Sequence, residues 1–217
     1  MISSDRSTIV TLVATAPAGT AGTTDDAFID GTLRTLASKK SPRNRIARVS
    51  SIRDIDLELS NVLSRPNDRA RVQIIGHALS GGLALGAFWL AEPELQARAF
   101  KFPYYILDTT PAALGLLSKH AGKVAEVMLV GCNIGSAVSF GHPINGRTLT
   151  YTLAELLQCD VLGADDVISP DEFDDSGWYA PGAQRARPKG WRWTVSAAPS
   201  WAEPSPPAAP RPRPPIG

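Results

Sequence analysis

Two stretches of similar design decide the fold: Val72-Gln73-Ile74-Ile75-Gly76-His77 and Val127-Met128-Leu129-Val130-Gly131-Cys132. Each is a short, mostly apolar run that leads into a glycine and then into a reactive side chain. Runs of this length and composition are typical of strands buried in a parallel sheet. Because the side chains that do chemistry gather at the carboxyl ends of such strands, His77 and Cys132 are candidates for a shared site.

Outward from these two stretches, strand-like runs alternate with stretches of helical pattern, which predicts an α/β fold with a mostly parallel sheet and crossover helices. Further strands are predicted at 8–13, 45–49, 104–107 and 160–162. Helices are predicted from Asp25 or Asp26 to Ser38, from Asp54 to Leu63, from Thr110 to Gly122 and over about 147–157. A β-hairpin is predicted over 178–195.

The composition divides the chain into a folded domain, 1–198, and a tail, 199–217. The tail holds eight of the eighteen prolines and has little apolar content to offset the entropy of ordering it. We therefore expect it to be disordered and polyproline-like, and suited to binding in a groove of a partner protein.

Charge and cysteine content exclude several classes of function. The chain has 22 Lys and Arg against 21 Asp and Glu, so we expect neither nucleic acid nor a membrane surface as a partner. It contains no apolar run near the ~20 residues that cross a bilayer, and it begins without a secretory signal pattern, so we expect a cytoplasmic protein. Two cysteines are too few for a disulfide scaffold or a zinc-ligand set, so no metal or other cofactor is expected.

His77 and Cys132 together have the chemistry of a nucleophilic dyad. If their strands are neighbours in the sheet, an imidazole that takes the thiol proton turns Cys132 into a much stronger nucleophile. Cys159 stands where a helix meets a strand, and we interpret it as structural. His120 we assign to helix C-terminal electrostatics, and His142 remains a rival base for Cys132.

The two strand ends resemble those of a known family. His77-Ala78-Leu79-Ser80-Gly81-Gly82-Leu83-Ala84-Leu85-Gly86 and Leu129-Val130-Gly131-Cys132-Asn133-Ile134-Gly135 look like the histidine and nucleophile segments of caspase-like cysteine peptidases of the bacterial CHAT and gingipain-like kind. The resemblance covers about residues 70–195. It implies a three-layer caspase-like sandwich with a mostly parallel central sheet, and a cysteine endopeptidase that acts on proteins or peptides without a cofactor.

The resemblance also implies roles for residues around the dyad. Backbone N–H groups at Ala78 and Cys132 would stabilise the oxyanion, although the family usually has glycine where this chain has Ala78. Relatives often cut after basic or acidic residues. The residue that lines the specificity pocket cannot be carried over from the family by sequence. Asp108, Asp165 and Asp166 all follow predicted strands, and turn positions explain them equally well; of these, Asp165 is the first candidate and Asp166 the second for a substrate-binding pocket that accepts Lys or Arg.

Two other functions stay open at this point. Replacement of the family glycine by Ala78 is compatible with a catalytically inactive caspase-like module that binds or signals by contact. The segment Ala78-Leu79-Ser80-Gly81-Gly82 also looks like the nucleophile elbow of an α/β-hydrolase, in which Ser80 would act with Asp108 and His142 as a serine esterase.

Overall fold

The fold is built on a six-stranded sheet in which five neighbouring strands run parallel and an edge strand is antiparallel. The computed structural model describes residues 8–15, 27–39, 41–79, 82–85, 105–107, 115–136, 146–164, 166–179 and 183–186. The strands of this sheet are β1 Thr8–Ala14, β2 Asn44–Val49, β3 Ala70–Ile75, β7 Val124–Val130, β8 Asp160–Ala164 and β9 Ala183–Ala186. Their order is β2-β1-β3-β7-β8-β9. The prediction of an α/β fold with a mostly parallel central sheet is confirmed.

A second, three-stranded antiparallel sheet follows β3 along the chain. It consists of β4 Ala78–Leu79, β5 Gly82–Ala84 and β6 Tyr105–Leu107, in that order. The strand predicted at 104–107 therefore exists, but its place in the parallel sheet is wrong. The position beside β3 is taken by β7, whose register with β3 runs from Ala70 to Ile75, so β6 pairs with β5 instead.

The helices of the described residues are α1 Ala27–Ser38, α2 Ile52–Val62, a 3₁₀ helix Gly115–His120 and α3 Gly146–Leu157. Helix α2 begins earlier than the predicted Asp54, because Ser51 is its N-cap and accepts a hydrogen bond from the Asp54 N–H. Asp54 in turn accepts hydrogen bonds from the N–H and hydroxyl of Ser50 at 2.8 Å each. The Ser51 bond satisfies one N–H that the first helical turn leaves unpaired, and the Asp54 bonds fix the residue before the N-cap.

The third predicted helix is described only in part, as the 3₁₀ helix, and the chain turns at Gly122 with φ +73° as predicted for its end. Of the hairpin predicted over 178–195, the structure describes one strand, β9, which pairs antiparallel with β8. The predicted caps Asp25 and Asp26 and the Pro-rich tail lie outside the described residues.

The core lies on both faces of the central strands. Every residue of β1 after Thr8 is buried, as are the last four residues of β3 and of β7. Burial on both faces explains why these strands have continuous apolar runs rather than alternating ones. Within the described ranges, no helix is both long enough and apolar enough to span a membrane.

Candidate functional site

The register of β3 and β7 brings the two predicted active residues to the same point of the sheet edge. From Arg71↔Glu126 to Ile75↔Val130, each pair of register partners is separated by 55 residues, since 130 − 75 = 55. His77 and Cys132 have the same separation, since 132 − 77 = 55. Each stands two residues beyond its strand, and the Gly76 N–H still donates to the Val130 carbonyl at 3.0 Å. The two residues therefore follow neighbouring parallel strands at matching positions, which is the condition on which the dyad depends.

A close backbone approach between the two strand ends explains the glycine before the cysteine. A Cβ atom at Gly131 would lie 2.4 Å from the Ala78 Cβ and 2.7 Å from the Gly76 carbonyl oxygen. Both distances are far inside van der Waals contact, so only glycine fits at position 131. A larger side chain at Ala78 would also crowd this contact, which is why a small residue follows His77.

Cys132 begins a turn that is anchored to the end of β8. The next residue, Asn133, has a left-handed φ of 57°, a conformation that Asn tolerates better than most residues. Its N–H donates to the Asp166 carbonyl at 3.0 Å, and the Gly135 N–H donates to the Ala164 carbonyl at 2.8 Å. These two bonds hold the turn against its neighbour strand. The Cys132 N–H itself donates to no acceptor in the part of the chain that the structure describes.

His77 lies on the face of the sheet that α1 covers. Alternate residues of a strand point to the same face, and Arg71 and Gln73 precede His77 at that spacing. The Arg71 guanidinium lies 4.0 Å from the centre of the Trp178 ring, and Gln73 binds the backbone of Gly177 and Tyr179. The segment 173–179 and helix α1 share this face, since a Cβ at Gly177 would lie 3.5 Å from Leu36 of α1.

On this face the His77 imidazole contacts the ring of Phe28, which belongs to the first turn of α1. The ring centres are 5.3 Å apart and the rings are inclined by 52°. Both side chains are half-buried, as is that of Cys132. Sequence reasoning missed Phe28, because an aromatic residue at the start of a helix carries no signal of what it packs against.

Ala78, which replaces the glycine of the resembled family, has an ordinary backbone conformation. It lies in strand β4, pairs with Leu83 and is buried. Outside glycine, left-handed φ angles occur among the described residues at Asn133 and Gln158 alone, so Ala78 does not need the freedom of glycine.

The acidic candidates are described only in part. Asp166 is exposed, and its Oδ1 accepts a hydrogen bond from the Val167 N–H at 2.7 Å. Its carbonyl is the one that holds Asn133, so it lies next to the turn that begins at Cys132. Asp165 and the three residues of the alternative serine site, Ser80, Asp108 and His142, lie outside the described residues.

The remaining described cysteine and histidine have structural surroundings at the amino end of the sheet. Cys159 is 1% exposed, and burial, followed by the charges of Asp160 and Glu126, raises its pKa to about 12. This agrees with its interpretation as a structural residue. His120 lies in the last turn of the 3₁₀ helix, as expected, and is buried with its Nε2 2.9 Å from Asp56 Oδ1, so it also joins this helix to α2.

Asp56 binds two cationic or potentially cationic neighbours. Lys119 Nζ donates to its Oδ2 at 2.9 Å, while His120 binds its Oδ1. Burial raises the pKa of Asp56, but the hydrogen bonds and charges of Lys119 and His120 outweigh it, and the pKa lies below its ordinary value. Sequence reasoning missed this cluster, since Asp56 and His120 are 64 residues apart in the chain.

No comparison with known proteins identifies the site. Among the described residues, no group of three or more His, Cys, Asp or Glu side chains is arranged to hold a metal ion. No protein-family model, no curated protein and no solved structure matches this chain. The function must therefore be argued from the geometry at the ends of β3 and β7.

Proposed function

We propose that this chain is a caspase-like cysteine endopeptidase whose nucleophile is Cys132 and whose general base is His77. The observation that supports the proposal best is the shared separation of 55 residues, which is both the register offset of β3 and β7 and the distance in sequence from His77 to Cys132. Two reactive side chains that follow adjacent strands at the same register position have a short path between them. A pair of structural residues has no need of this arrangement.

The proposed reaction proceeds in two steps. His77 takes the proton from Cys132 as Sγ attacks the scissile carbonyl, and the same proton passes from the imidazolium to the leaving amine. The products of this step are an acyl-enzyme on Cys132 and a free amine. His77 then takes a proton from water, the resulting hydroxide attacks the thioester, and Cys132 leaves with the proton returned by His77.

Backbone N–H groups are suited to stabilise the negative oxygen that forms in each step. The Cys132 N–H donates to no acceptor in the described residues, and Ala78 N lies 3.5 Å from the position of a Cβ built at Gly131. Alanine retains the N–H that the resembled family takes from glycine. Donors fixed in this way before the reaction require little reorganisation during it.

The path of the chain supports both the three-layer arrangement and the location of the site. Helix α1 leads from β1 outward to β2, whereas α2 leads from β2 back past β1 to β3. Since such crossovers are almost always right-handed, α1 should cover one face and α2 the other. The strand order reverses between β1 and β3, and ligands of open α/β sheets bind in the crevice at such a reversal. His77 is at the end of β3 and borders this crevice.

For specificity, we propose that the substrate residue before the cleaved bond is Lys or Arg. Asp165 is the first candidate for the carboxylate that binds it and Asp166 the second, because both follow β8, whose end is hydrogen-bonded to the turn at Cys132. The exposed carboxylate of Asp166 keeps one oxygen available beside its bond to Val167. Because each carboxylate oxygen has two lone pairs, an Arg side chain can donate to Oδ2 and to the second lone pair of Oδ1 in a bidentate manner.

The surroundings of Ser80 favour Cys132 over the alternative serine nucleophile. A nucleophile elbow requires a strand, a sharp turn and then a helix. In this chain the residues on the two sides of the Ser80-Gly81 connection are antiparallel strands, with Leu79 paired to Gly82.

A cleavage assay on a peptide library tests the proposal. The full chain is incubated with peptides that vary the residue before the cleaved bond, beside the variants Cys132→Ala, Ser80→Ala and, as the matched control, Cys159→Ala. We expect cleavage by the wild type, Ser80→Ala and Cys159→Ala, and a loss of at least about 10³-fold in Cys132→Ala.

The other outcomes would change the proposed function or its specificity. Cleavage that survives in Cys132→Ala and disappears in Ser80→Ala would establish the serine hydrolase. If the wild type cleaves no peptide, the inactive binding module is favoured. Cleavage after Asp or after small apolar residues would overturn the acidic pocket and leave the dyad in place.

A further inference from the structure

Phe28 is the described residue whose ring contacts the candidate general base. Its ring centre is 5.3 Å from that of His77, at an inclination of 52°, in the range of geometries that aromatic pairs prefer. Phe28 belongs to the first turn of α1, and its side chain packs against the hydrophobic core. A ring held by the core therefore lies beside an imidazole that follows the last residue of β3.

This contact matters because His77 stands beyond the strand that would otherwise fix it. A histidine side chain rotates about two bonds, so its orientation depends on what packs against its ring. A neighbouring ring on one side excludes the rotamers that would occupy the same space. Catalytic groups work best when packing around them has already selected the productive orientation.

We propose that Phe28 is a positioning residue, which limits the rotation of the His77 imidazole and so keeps its ring nitrogens within reach of Cys132. The inference rests on the proposed function, in which His77 is the base. According to this inference, helix α1 as well as the sheet determines how often the His77 imidazole faces the Cys132 thiol. Phe28 takes no part in bond making or breaking.

The first experiment measures how fast iodoacetamide alkylates Cys132 at pH 7, using mass spectrometry of the full chain. An imidazole that holds the thiol proton raises the thiolate population and so accelerates alkylation. The variants are His77→Ala, Phe28→Leu, Phe28→Tyr, which retains a ring, and Leu33→Ala, which removes another half-buried apolar side chain of α1. We expect His77→Ala to slow the reaction most and Phe28→Leu to slow it by about 3- to 10-fold.

The two control variants separate positioning from a general loosening of α1. Phe28→Tyr and Leu33→Ala should both alkylate at the wild-type rate. Equal rates for Phe28→Leu and Leu33→Ala, with His77→Ala slow, would overturn the role of Phe28 while the dyad stands. An unchanged rate in His77→Ala would instead overturn the dyad.

The second experiment observes the imidazole directly and does not depend on catalysis. The chain has three histidines, so selective ¹³C or ¹⁵N labelling of histidine gives a simple NMR spectrum. In the wild type, the ring current of Phe28 should displace the signals of the His77 carbon-bound protons, and Phe28→Leu should remove this displacement and average the rotamers. If Phe28→Leu does not fold, Phe28→Met serves in both experiments. Unchanged His77 signals in a folded variant without the ring would refute the proposal.

Discussion

Among the described residues, one histidine and one cysteine lie at the carboxyl ends of the parallel strands, here called the carboxyl edge of the sheet, and one of each lies at their amino ends, the amino edge. The two pairs differ in what surrounds them. At the carboxyl edge, His77 and Cys132 are half-buried and follow adjacent strands at matching register. At the amino edge, His120 is buried on Asp56, and Cys159 is buried directly before β8. A residue type alone therefore does not indicate chemistry. His120 and Cys159 are buried, and His120 also has a hydrogen-bonding partner, so we interpret both as structural residues. His77 and Cys132 are half-buried, so both side chains keep contact with solvent at neighbouring strand ends.

The largest expected difference between the edges is in thiol reactivity. Burial, with the charges of Asp160 and Glu126, raises the pKa of Cys159 to about 12, so almost none of this thiol is ionised at pH 7. Iodoacetamide should therefore label Cys132 at least about 100-fold faster than Cys159 in the folded protein. Peptide mapping after timed labelling measures both rates. Equal rates, with denatured protein as the reference for full exposure, would remove the distinction between the edges.

Separate substitutions of His120 and His77 should show that the first residue affects the stability of the fold and the second the reactivity of Cys132. His120→Ala removes a buried ring and leaves Asp56 with one partner fewer, so we expect it to lower the free energy of unfolding by roughly 2–3 kcal/mol. Its Cys132 alkylation rate should remain that of the wild type. His77→Ala should show the reverse pattern, with little loss of stability and slow alkylation. Urea denaturation measures the stability of each variant, and the labelling assay measures its Cys132 alkylation rate. If both variants lost stability and reactivity to the same extent, the distinction between the two histidines would be wrong.

A pair of glycine substitutions tests the close approach at the carboxyl edge. Gly131→Ala would put a Cβ 2.4 Å from that of Ala78, and we expect it to destabilise the fold by about 1–3 kcal/mol and to move the two strand ends apart. Gly115→Ala is the matched control, because a Cβ there has no atom within 4 Å and its stability should stay close to that of the wild type. Thermal denaturation measures both. A neutral Gly131→Ala would mean that the strand ends are not in contact.

The smallest expected effect is the pH dependence of the stability that Asp56 contributes through its contacts with Lys119 and His120. The pKa of Asp56 is below its ordinary value in the folded state, so its carboxylate contributes stability that is fully present above the unfolded value near 3.8. This contribution is lost as the pH falls through the lower folded-state pKa. Asp56→Asn should therefore cost about 0.5–1 kcal/mol at pH 7, discounted for the exposure of Lys119, and the difference from wild type should shrink as the pH falls below 3.8 and through the lower folded-state pKa. Urea denaturation across this pH range measures it, and a constant difference would contradict the assignment.

Much of the fold could be predicted because a buried parallel strand is a continuous apolar run, which is visible in the local sequence. The runs before Gly76 and Gly131 have strand composition and length, and both became neighbouring strands with the expected parallel pairing. The prediction of strand pairing was wrong where it depended on a segment far away in the chain. The strand at Tyr105–Leu107 has the right composition, but composition does not say which strand it pairs with, and it joined the small antiparallel sheet. Helix α2 began at Ile52 because capping by Ser51 outweighed the acidic signal of Asp54.

The amino-acid sequence by itself determined the alternation of strands and helices and the positions of His77 and Cys132 after strand and glycine, because these depend on local patterns of apolar residues. Only the tertiary structure decided that β3 and β7 pair with an offset of 55 residues, that Phe28 contacts His77, and that His120 binds Asp56. These contacts join residues dozens of positions apart. The energies that select them come from packing and from satisfying buried polar groups, which depend on the whole fold rather than on any one segment.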